Sequence, residues 1–408
     1  MEQQLQVITL PNGIRIAHIY CKSRVAYCGF TINTGTRDEL PDEHGMAHFL
    51  EHTLFKGTHK RKAYHINNRL ENVGGELNAF TTKEETVIHA TVLKSDLEKA
   101  IELIADITFN SVFPEKEIEK EKTVIYDEID SYRDSPSELI FDDFEDLLFT
   151  GSPLGRNTLG SKRMLKRFTI NDIRRFINRT YNSNQMVFTV IGQVPFTKIQ
   201  QWCGGYFGLQ PANNRAFQRQ LPAPYIPFSK TMHKSTFQAH CLIGNRAYEV
   251  NNKKRVALSL LTNLLGGPTS NSILNTILRE KHGLAYTVET SYTAYADTGV
   301  LNIYFGTAKP NLEKCIKLIH TELQKVCNTA LSAMQLHKIK KQLTGQLTIA
   351  CESNEQLMLS LGKSLLALGY YETMHETVNR IQAVTAVDIM EAANEIVAPQ
   401  YLSTLIYA

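Results

Sequence analysis

The stretch HGMAHFLEHTLFKGT, residues 44–58, contains three histidines and a glutamate in a pattern that suits metal chemistry. His48 and His52 are four residues apart, so on a helix their imidazoles lie on one face and can reach one ion. Glu51, three residues after His48, lies on the same side. Zinc accepts neutral imidazole, needs three protein ligands to leave a position for water, and needs a nearby carboxylate to take that water's proton. This HxxEH pattern supplies two ligands and a base.

The alternative is that these histidines are surface or core residues without a shared role. The chain has 13 histidines, and HxxEH would arise by chance in roughly three of a hundred chains of this composition. The spacing therefore favours the metal. His44 lies four residues before His48, but it precedes the ligand pair near the expected helix start, and we place it outside the ligand set.

A third ligand is expected from the helical stretch PEKEIEKEKTVIYDEIDSYRD, which begins at Pro114. At 100° per residue, one stripe is predicted to be buried and contains Ile118, Glu121, Ile125, Glu128, Ile129 and Tyr132. Asp127 and Glu119 point away and are predicted to be solvated. Buried carboxylates need a cation or several donors. A metal supplies that charge, and an ion pair with a core arginine is the alternative. We predict Glu128 as the ligand and Glu121 as a supporting or alternate carboxylate.

The elements that position these residues can be read from caps and turns. Asp42 is predicted to cap a helix running to about Gly57, and a second helical stretch ends at the pair Gly74 and Gly75. Two strands follow, ELNAFTT and ETVIHATVL, joined by a short polar turn.

Later helices follow from similar signals. SDLE, residues 95–98, forms a predicted capping box that opens a helix to about Phe109. Pro114 suits the first turn of a long helix, which must stop before Pro136. Strands and helices are mixed without strict βαβ alternation, so we predict an α+β fold.

The proline-rich segment of residues 211–227 divides the chain into halves of similar length. Segments that begin at Thr169 and Thr385 share Thr, an Asp three residues later, a helical stretch and a β-branched strand. We therefore predict two homologous domains, each a mostly antiparallel sheet packed with helices. The predicted ranges are 1–210 for the zinc domain, 211–227 for the linker, and 228–408 for the second domain.

Composition excludes several classes of function. Residues 1–150 contain 16 basic and 27 acidic side chains, whereas the whole chain has a formal charge of +3. The basic residues of the second half are scattered, so we predict no nucleic-acid binding. No long apolar run is present, so no membrane segment is expected. Seven widely spaced cysteines without a CxxC pair fit a reducing compartment. We expect a cytoplasmic protein, unless a targeting segment has been removed.

Three motifs, HFLEHTLFKGT, GGELNAFTTKEET and EKEKTVIYDEI, resemble in order those of the pitrilysin-type inverzincin metallopeptidases. The resemblance covers essentially the whole chain, and it is strongest to short members such as the mitochondrial processing peptidase β subunit. It implies that His48, His52 and Glu128 bind one Zn²⁺ per chain, that Glu51 is the general base, and that Glu121 assists catalysis. The 76-residue gap from His52 to Glu128 suits the family.

The resemblance also gives meaning to two other segments. Asn78, Ala79 and Phe80 match a family edge strand that binds an extended substrate by strand addition. Without the family they would be an ordinary strand. Arg279 and Tyr286 match a pair that reaches the scissile region from the domain opposite the zinc. Alone, such an arginine near a helix end would be a solvated cap.

The second half contains no HxxEH. When FKGT at residue 55 is aligned with LGGP at residue 265, the positions of His48, Glu51 and His52 are taken by Leu258, Leu261 and Thr262. This repeat is predicted to keep the fold without the metal.

The expected function is a zinc-dependent endopeptidase that hydrolyses peptides or unfolded polypeptides in an enclosed chamber, with water activated by zinc and Glu51. The resemblance implies that a two-domain chain needs a partner to complete the chamber. We expect a homodimer, or a heterodimer with a paralogue. One alternative is a non-catalytic scaffold or partner subunit of the same fold, although such subunits usually have degraded zinc motifs. Another is a zinc hydrolase acting on non-peptide substrates.

Overall fold

The computed structural model describes residues 4–408; the first three residues of the predicted range 1–210 lie outside this part. The strands are β1 (Leu5–Thr9), β2 (Arg15–Tyr20), β3 (Val25–Ile32), β4 (Glu76–Thr81), β5 (Thr86–Leu93), β6 (Met186–Gly192), β7 (Ser229–Met232), β8 (Ala239–Ala247), β9 (Ala285–Ala294), β10 (Gly299–Thr307) and β11 (Ser403–Tyr407). The α-helices are α1 (Met46–Leu54), α2 (Ala63–Glu71), α3 (Leu97–Phe109), α4 (Glu115–Arg133), α5 (Pro136–Leu148), α6 (Lys162–Leu165), α7 (Ile170–Thr180), α8 (Phe196–Phe207), α9 (Arg255–Gly266), α10 (Leu312–Asn328), α11 (Ala333–Cys351), α12 (Asn354–Ala367), α13 (Met374–Ala383) and α14 (Ala386–Ile396). A π-helix covers Asn275–Lys281.

The first sheet has six strands in the order β1-β2-β6-β3-β5-β4. β2 and β6 are parallel, and the other neighbours are antiparallel. Its apolar core is packed with side chains from α1, α3, α4, α7 and α8. β4 forms one edge of this sheet, and α1 packs against it. The HxxEH motif therefore lies beside an edge strand.

The second sheet has five strands in the order β7-β11-β8-β10-β9. Its path repeats that of β2-β6-β3-β5-β4, because β7 and β11 are parallel and the remaining neighbours are antiparallel. α9, α10 and α14 supply much of its core. The prediction of an α+β fold with two similar, mostly antiparallel sheets is confirmed.

The chain forms two compact units that exchange helices between the sequence halves. The first unit contains residues up to Asp130, then Arg156–Gln220 and Ala350–Tyr371; the second contains Ser131–Gly155, Leu221–Ile349 and Glu372–Ala408. α12, from late in the chain, packs on β3 and β6 in the first unit. α5, from early in the chain, packs on β8 and β11 in the second unit. The units change over between residues 220 and 221, inside the predicted linker, which has no helix or strand.

The two segments that share the Thr–Asp pattern each begin a helix with a capping box. Thr169 accepts from the Asp172 amide at the start of α7, and Thr385 accepts from the Asp388 amide at the start of α14. The predicted box at residues 95–98 does not form. Instead, the Ser95 hydroxyl donates to Asp96 at 3.0 Å, and α3 starts at Leu97 after a short 3₁₀ turn.

None of the helices within residues 4–408 combines the length and apolar character that a bilayer span requires. All seven cysteines are free thiols.

Candidate metal centre

The helix with the HxxEH motif starts later than predicted, and a different residue caps it. α1 begins at Met46, and its N-cap is Gly45 with φ of 95°. A Cβ on Gly45 would come within 2.8 Å of Gly160 Cα, so this turn requires glycine. The prediction that Asp42 caps the helix is therefore wrong; Asp42 is exposed.

The side chain that caps the helix is that of Glu39, which is only 2% exposed. Its carboxylate accepts hydrogen bonds from the amides of Gly45 at 3.0 Å and Ala47 at 2.9 Å. Burial raises the pKa of Glu39 to about 8, although these two amides and Arg156 act in the opposite direction. Both donors would otherwise be unsatisfied at a buried helix start. Glu39 thus fixes the turn that presents His48.

Three predicted ligands lie together. One donor atom from each of His48, His52 and Glu128 falls within a group whose members are all within 4.8 Å of one another. Glu128 Oε2 is 3.7 Å from His48 Nε2 and 3.5 Å from His52 Nε2. Ligands of one tetrahedral zinc, at about 2.0–2.2 Å from the ion, lie about 3.4 Å apart. The spacing between these atoms therefore fits one Zn²⁺ ion.

Glu121 is not part of the ligand group, but its carboxylate contacts the ligand His52. Glu121 Oε2 is 3.2 Å from His52 Nδ1, and Glu121 Oε1 accepts from Lys56 Nζ at 2.7 Å. Burial raises the pKa of Glu121, yet His52 and Lys56 outweigh it and hold the pKa below its usual value. Because a carboxylate only accepts, Nδ1 of His52 carries the proton and Nε2 keeps a lone pair. Nε2 is the atom that faces Glu128.

The two acids of α4 differ in burial. Glu121 is 8% exposed, and its cationic partner is Lys56 rather than a core arginine. The Glu128 side chain is 43% exposed. It is therefore more exposed to solvent than its place on the predicted buried stripe implies. Asp127 and Glu119 are exposed, as predicted. The orientation of α4 relative to α1 therefore follows the helical-face argument, although Glu128 lies at the rim of the stripe.

Burial of His48 favours the neutral ring that a metal requires. Burial and the neighbouring His52 lower the pKa of His48 to about 3, and the two rings meet edge to face with centroids 4.7 Å apart. Nδ1 of His48 has no hydrogen-bond partner in the described residues. His44 lies elsewhere, with Nε2 3.1 Å from the Asn157 carbonyl. A buried neutral imidazole, with one ring nitrogen unprotonated, is a ready ligand.

Glu51 has the environment of a base. Burial raises the pKa of Glu51 above its ordinary value, and contacts with Thr81 and His52 oppose that shift. Its buried Oε2 has no hydrogen-bond partner within residues 4–408. A carboxylate with a raised pKa and a free oxygen can take and return a proton near neutral pH.

The predicted substrate strand and the Arg/Tyr pair lie in different units. Asn78, Ala79 and Phe80 belong to the edge strand β4 of the first unit, beside α1. Arg279 and Tyr286 belong to the second unit, where the guanidinium carbon lies 5.0 Å from the Tyr286 ring centroid. Tyr286 is 78% exposed, which leaves it accessible to a ligand.

Comparison with known proteins agrees with this geometry. Residues 15–162 match the model of the family described as insulinase (peptidase family M16), and residues 167–343 match the peptidase M16 inactive domain. A Bacillus subtilis (strain 168) protein, named as an uncharacterized zinc protease, is 33% identical over 98% of this chain and 97% of its own length. A similarly named Rickettsia felis protein is 32% identical over 100% of this chain and 98% of its own.

The chain belongs to peptidase family M16. The predicted family resemblance is confirmed, and so is the two-domain, short-chain architecture. The inactive-domain model covers much of the half that lacks HxxEH, as the sequence alignment of Leu258, Leu261 and Thr262 predicts.

Solved structures show the same fold for this M16 chain. A protease from Helicobacter pylori aligns with a TM-score of 0.92 at 23% identity and covers 100% of both chains. A Pseudomonas fluorescens protein described as a peptidase M16 inactive domain aligns with a TM-score of 0.91 at 17% identity, over 99% of this chain and 98% of its own. These two likenesses concern the fold alone.

Three residues of the M16 site were not predicted from the sequence. Lys56 follows α1 and forms an ion pair with Glu121. Its position eight residues after His48 could have indicated that its side chain lies on the same side as the ligands. Thr81 ends the edge strand beside Glu51. Glu39 precedes the motif by nine residues and left no local signal, because its bonds form across a non-helical turn.

Proposed function

We propose that this M16 chain is a zinc-dependent endopeptidase that hydrolyses peptides or unfolded polypeptides in an enclosed chamber. The observation that carries the proposal is the grouping of His48, His52 and Glu128, with the half-buried carboxylate of Glu51 next to His52 in the sequence. The M16 relatives named as zinc proteases support the metal and the reaction class.

The residues divide the chemistry among them. Zn²⁺, held by His48, His52 and Glu128, would polarise a carbonyl and lower the pKa of water. Glu51 accepts the proton of the attacking water and returns it to the leaving amide nitrogen. Glu121 keeps the His52 ring in the tautomer that leaves Nε2 free.

The edge strand β4 supplies a way to hold the substrate. Residues 78–80 lie on a strand with one unpaired edge, and α1 packs on the same strand. An extended peptide added to this edge would be bound through its backbone. We therefore propose broad sequence tolerance and a preference for unfolded chains.

Glu51→Gln tests the reaction directly. This variant should keep about one zinc per chain and lose peptide cleavage by roughly a thousandfold or more, because it removes the base and spares the ligands. Zinc content by plasma mass spectrometry and cleavage of a quenched peptide library measure the two effects. Full cleavage by Glu51→Gln would contradict the role of Glu51. A wild-type chain that binds zinc and cleaves nothing would favour the scaffold alternative.

We further propose that two chains share each site. Arg279 and Tyr286 of the partner subunit would stabilise the developing oxyanion or hold the peptide backbone, in a homodimer or in a heterodimer with a paralogue. Mixing Glu51→Gln and Arg279→Ala proteins, each poorly active, should restore activity in dimers that contain one intact site. No recovery, with subunit exchange shown by mass spectrometry, would place the pair in its own chain or outside catalysis.

The proposed location is the cytoplasm. Seven free cysteines, among them the exposed Cys351, fit a reducing compartment. Fractionation of cells with an antibody against the chain tests this location.

A further inference from the structure

The second unit contains two adjoining cavities beside its edge strand β9. The larger, about 530 Å³, lies between the loop that follows α9, the π-helix and the first half of β9, and Arg279 and Tyr286 line it. The smaller, about 470 Å³, lies between residues 269–271 and the α11 face formed by Lys338, Lys341 and Gln342. Thr269 and Ser270 line both cavities. The two cavities therefore share part of their lining, and we call the pair the β9 trough.

One end of the β9 trough is cationic. Lys338 and Lys341 are one turn apart on α11, and both are exposed. Within residues 4–408 no ion-pair partner faces either ammonium, and no acidic side chain lines the smaller cavity. Gln342 Nε2 donates to Thr269 Oγ1 at 2.7 Å and so holds the opposite wall in place. Two positive charges without an acidic partner among the described residues thus line one side of an open surface depression, and Thr269 and Ser270 line the other side.

Lys340, between these two lysines, has a different environment. It donates to the Gln382 carbonyl at 2.7 Å and lies near Asp388. The positive charge of the trough therefore comes from one face of α11, and Lys340 provides a comparison on the same helix.

The larger cavity is lined by one buried hydroxyl residue and one carboxylate that bear on its polarity. The Thr290 side chain lines it, the residue is 8% exposed, and its Oγ1 has no hydrogen-bond partner in the described chain. A Cβ on Gly266 would come within 2.3 Å of that oxygen, so glycine is what lets the two walls approach here. The one carboxylate in this lining is the exposed Glu289 on β9. This hydroxyl is enclosed against Gly266 and does not face the open cavity. The Glu289 carboxylate disfavours a second anion in the larger cavity, so an anionic group is favoured at the lysine end.

We propose that the lysine end of the β9 trough is a subsite for carboxylates of acidic peptide segments, whose backbone lies along the larger cavity past Arg279 and Tyr286. The proposal rests on the proposed peptidase function for the identity of the occupant. Two ammonium groups and the Ser270 hydroxyl match a carboxylate in charge and donors. They repel basic side chains at the same place, so the subsite also discriminates against basic peptides. Strand addition at β4 still tolerates many sequences, and the subsite adds a preference for acidic segments among them.

Direct binding tests the subsite without requiring turnover. Full-length Glu51→Gln protein is titrated with three fluorescein-labelled 12-residue peptides, followed by anisotropy. The first contains Glu-Glu and a C-terminal amide, the second Gln-Gln and an amide, and the third Gln-Gln and a free C-terminal carboxylate. The Glu-Glu peptide should bind about five- to tenfold more tightly than the amidated Gln-Gln peptide, and 1 M NaCl should remove the difference.

Variants on the same background assign the preference. Lys338→Gln/Lys341→Gln should abolish it. The charge-matched control Lys340→Gln/Lys314→Gln should retain it, because Lys314 is exposed on α10 and neither control residue lines the two cavities. Tighter binding of the free-carboxylate peptide, lost in the same variant, would also support the anion subsite and would assign it to the substrate's chain end.

An undiminished preference in Lys338→Gln/Lys341→Gln, or an equal loss in the control, would overturn the proposal. Because cleavage is not measured, lysine-dependent binding would stand even if the proposed peptidase reaction failed.

Discussion

The helices α1 and α9 hold corresponding places in two sheets of the same path, yet only α1 carries the histidines of the candidate metal centre. Each packs against the edge strand of its own sheet, β4 or β9. The aligned positions are His48, Glu51 and His52 in α1 and Leu258, Leu261 and Thr262 in α9. The comparison separates what the fold needs from what the chemistry needs.

Polar satisfaction differs between the two helices. In α9, Leu258 and Leu261 are fully buried, and the Thr262 hydroxyl donates to the Leu258 carbonyl at 2.8 Å. In α1, His48 Nδ1 and Glu51 Oε2 are buried without a partner among the described residues. Buried polar groups destabilise a fold unless they are compensated. The fold therefore tolerates leucine at these positions, and α1 keeps polar groups for a role outside stability.

The helices α4 and α11 repeat this difference. Both contain 19 residues, and counting from their first residues places Ile339 opposite Glu121 and Gln346 opposite Glu128. Ile339 is 5% exposed and packs in the core, and Gln346 is neutral. The second unit has thus lost the charged oxygen that a hard cation would need at this position.

The largest effect is expected when α4 is made to resemble α11. Glu128→Gln should weaken zinc binding by at least about 100-fold and reduce peptide cleavage in proportion, because it removes an anionic ligand. Asp127→Asn, the exposed neighbour, is the matched control and should change both quantities less than twofold. Zinc competition with a chromogenic chelator gives the affinities. Equal effects of the two variants would contradict the arrangement of α4.

Stability should respond in the opposite way in α1 and α9. Leu258→Ala should lower the free energy of unfolding by about 3 kcal/mol, because it leaves a cavity in a packed core. His48→Leu should abolish zinc binding, yet change the stability of the metal-free protein by less than about 1 kcal/mol or increase it. Urea unfolding in the presence of a chelator measures both. A loss of about 3 kcal/mol in His48→Leu would show that His48 is needed for folding.

A smaller effect is expected from the residue that orients His52. Glu121→Gln should weaken zinc binding about tenfold, because the amide no longer fixes the proton on Nδ1 of His52 or balances Lys56. The variant should still bind one zinc ion per chain. Unchanged affinity, measured with the same chelator, would limit Glu121 to a structural contact.

The smallest effect concerns a feature that both halves share, the capping boxes of α7 and α14. The backbone and side-chain bonds from Thr385 hold the pKa of Asp388 below its usual value; for Asp172, burial raises the pKa, but bonds from Thr169 outweigh it. A carboxylate with a lowered folded-state pKa stabilises the fold above its unfolded pKa of about 4, and this contribution disappears as the pH falls through the folded-state value.

Asp172→Asn and Asp388→Asn should therefore each lower Tm by about 2–4 °C at pH 7 and by less near pH 3. Thermal scans at the two pH values measure this difference. Equal losses at both would show that the caps do not depend on charge.

The sequence predicted what depends on local pattern. The 3.6-residue period placed Glu121 and Glu128 on the side of α4 that faces α1, and both Thr–Asp boxes start helices as expected. The bonds of Glu39 to residues 45 and 47 cross a turn made possible by Gly45, which no periodicity describes. The exchange of α5 and α12 between units depends on which sheet each apolar face meets. Such pairings are long-range and leave no spacing in the sequence.

We propose that one zinc ion binds at His48, His52 and Glu128 and that none binds at the equivalent place in the second unit. Anomalous diffraction at the zinc edge, from crystals of the purified protein grown with one equivalent of zinc, tests it most directly. We predict one strong peak per chain, bonded to His48 Nε2, His52 Nε2 and Glu128, and no peak beside Leu258, Thr262 and Gln346. A chain without the first peak, or with zinc held by other residues, would contradict the account.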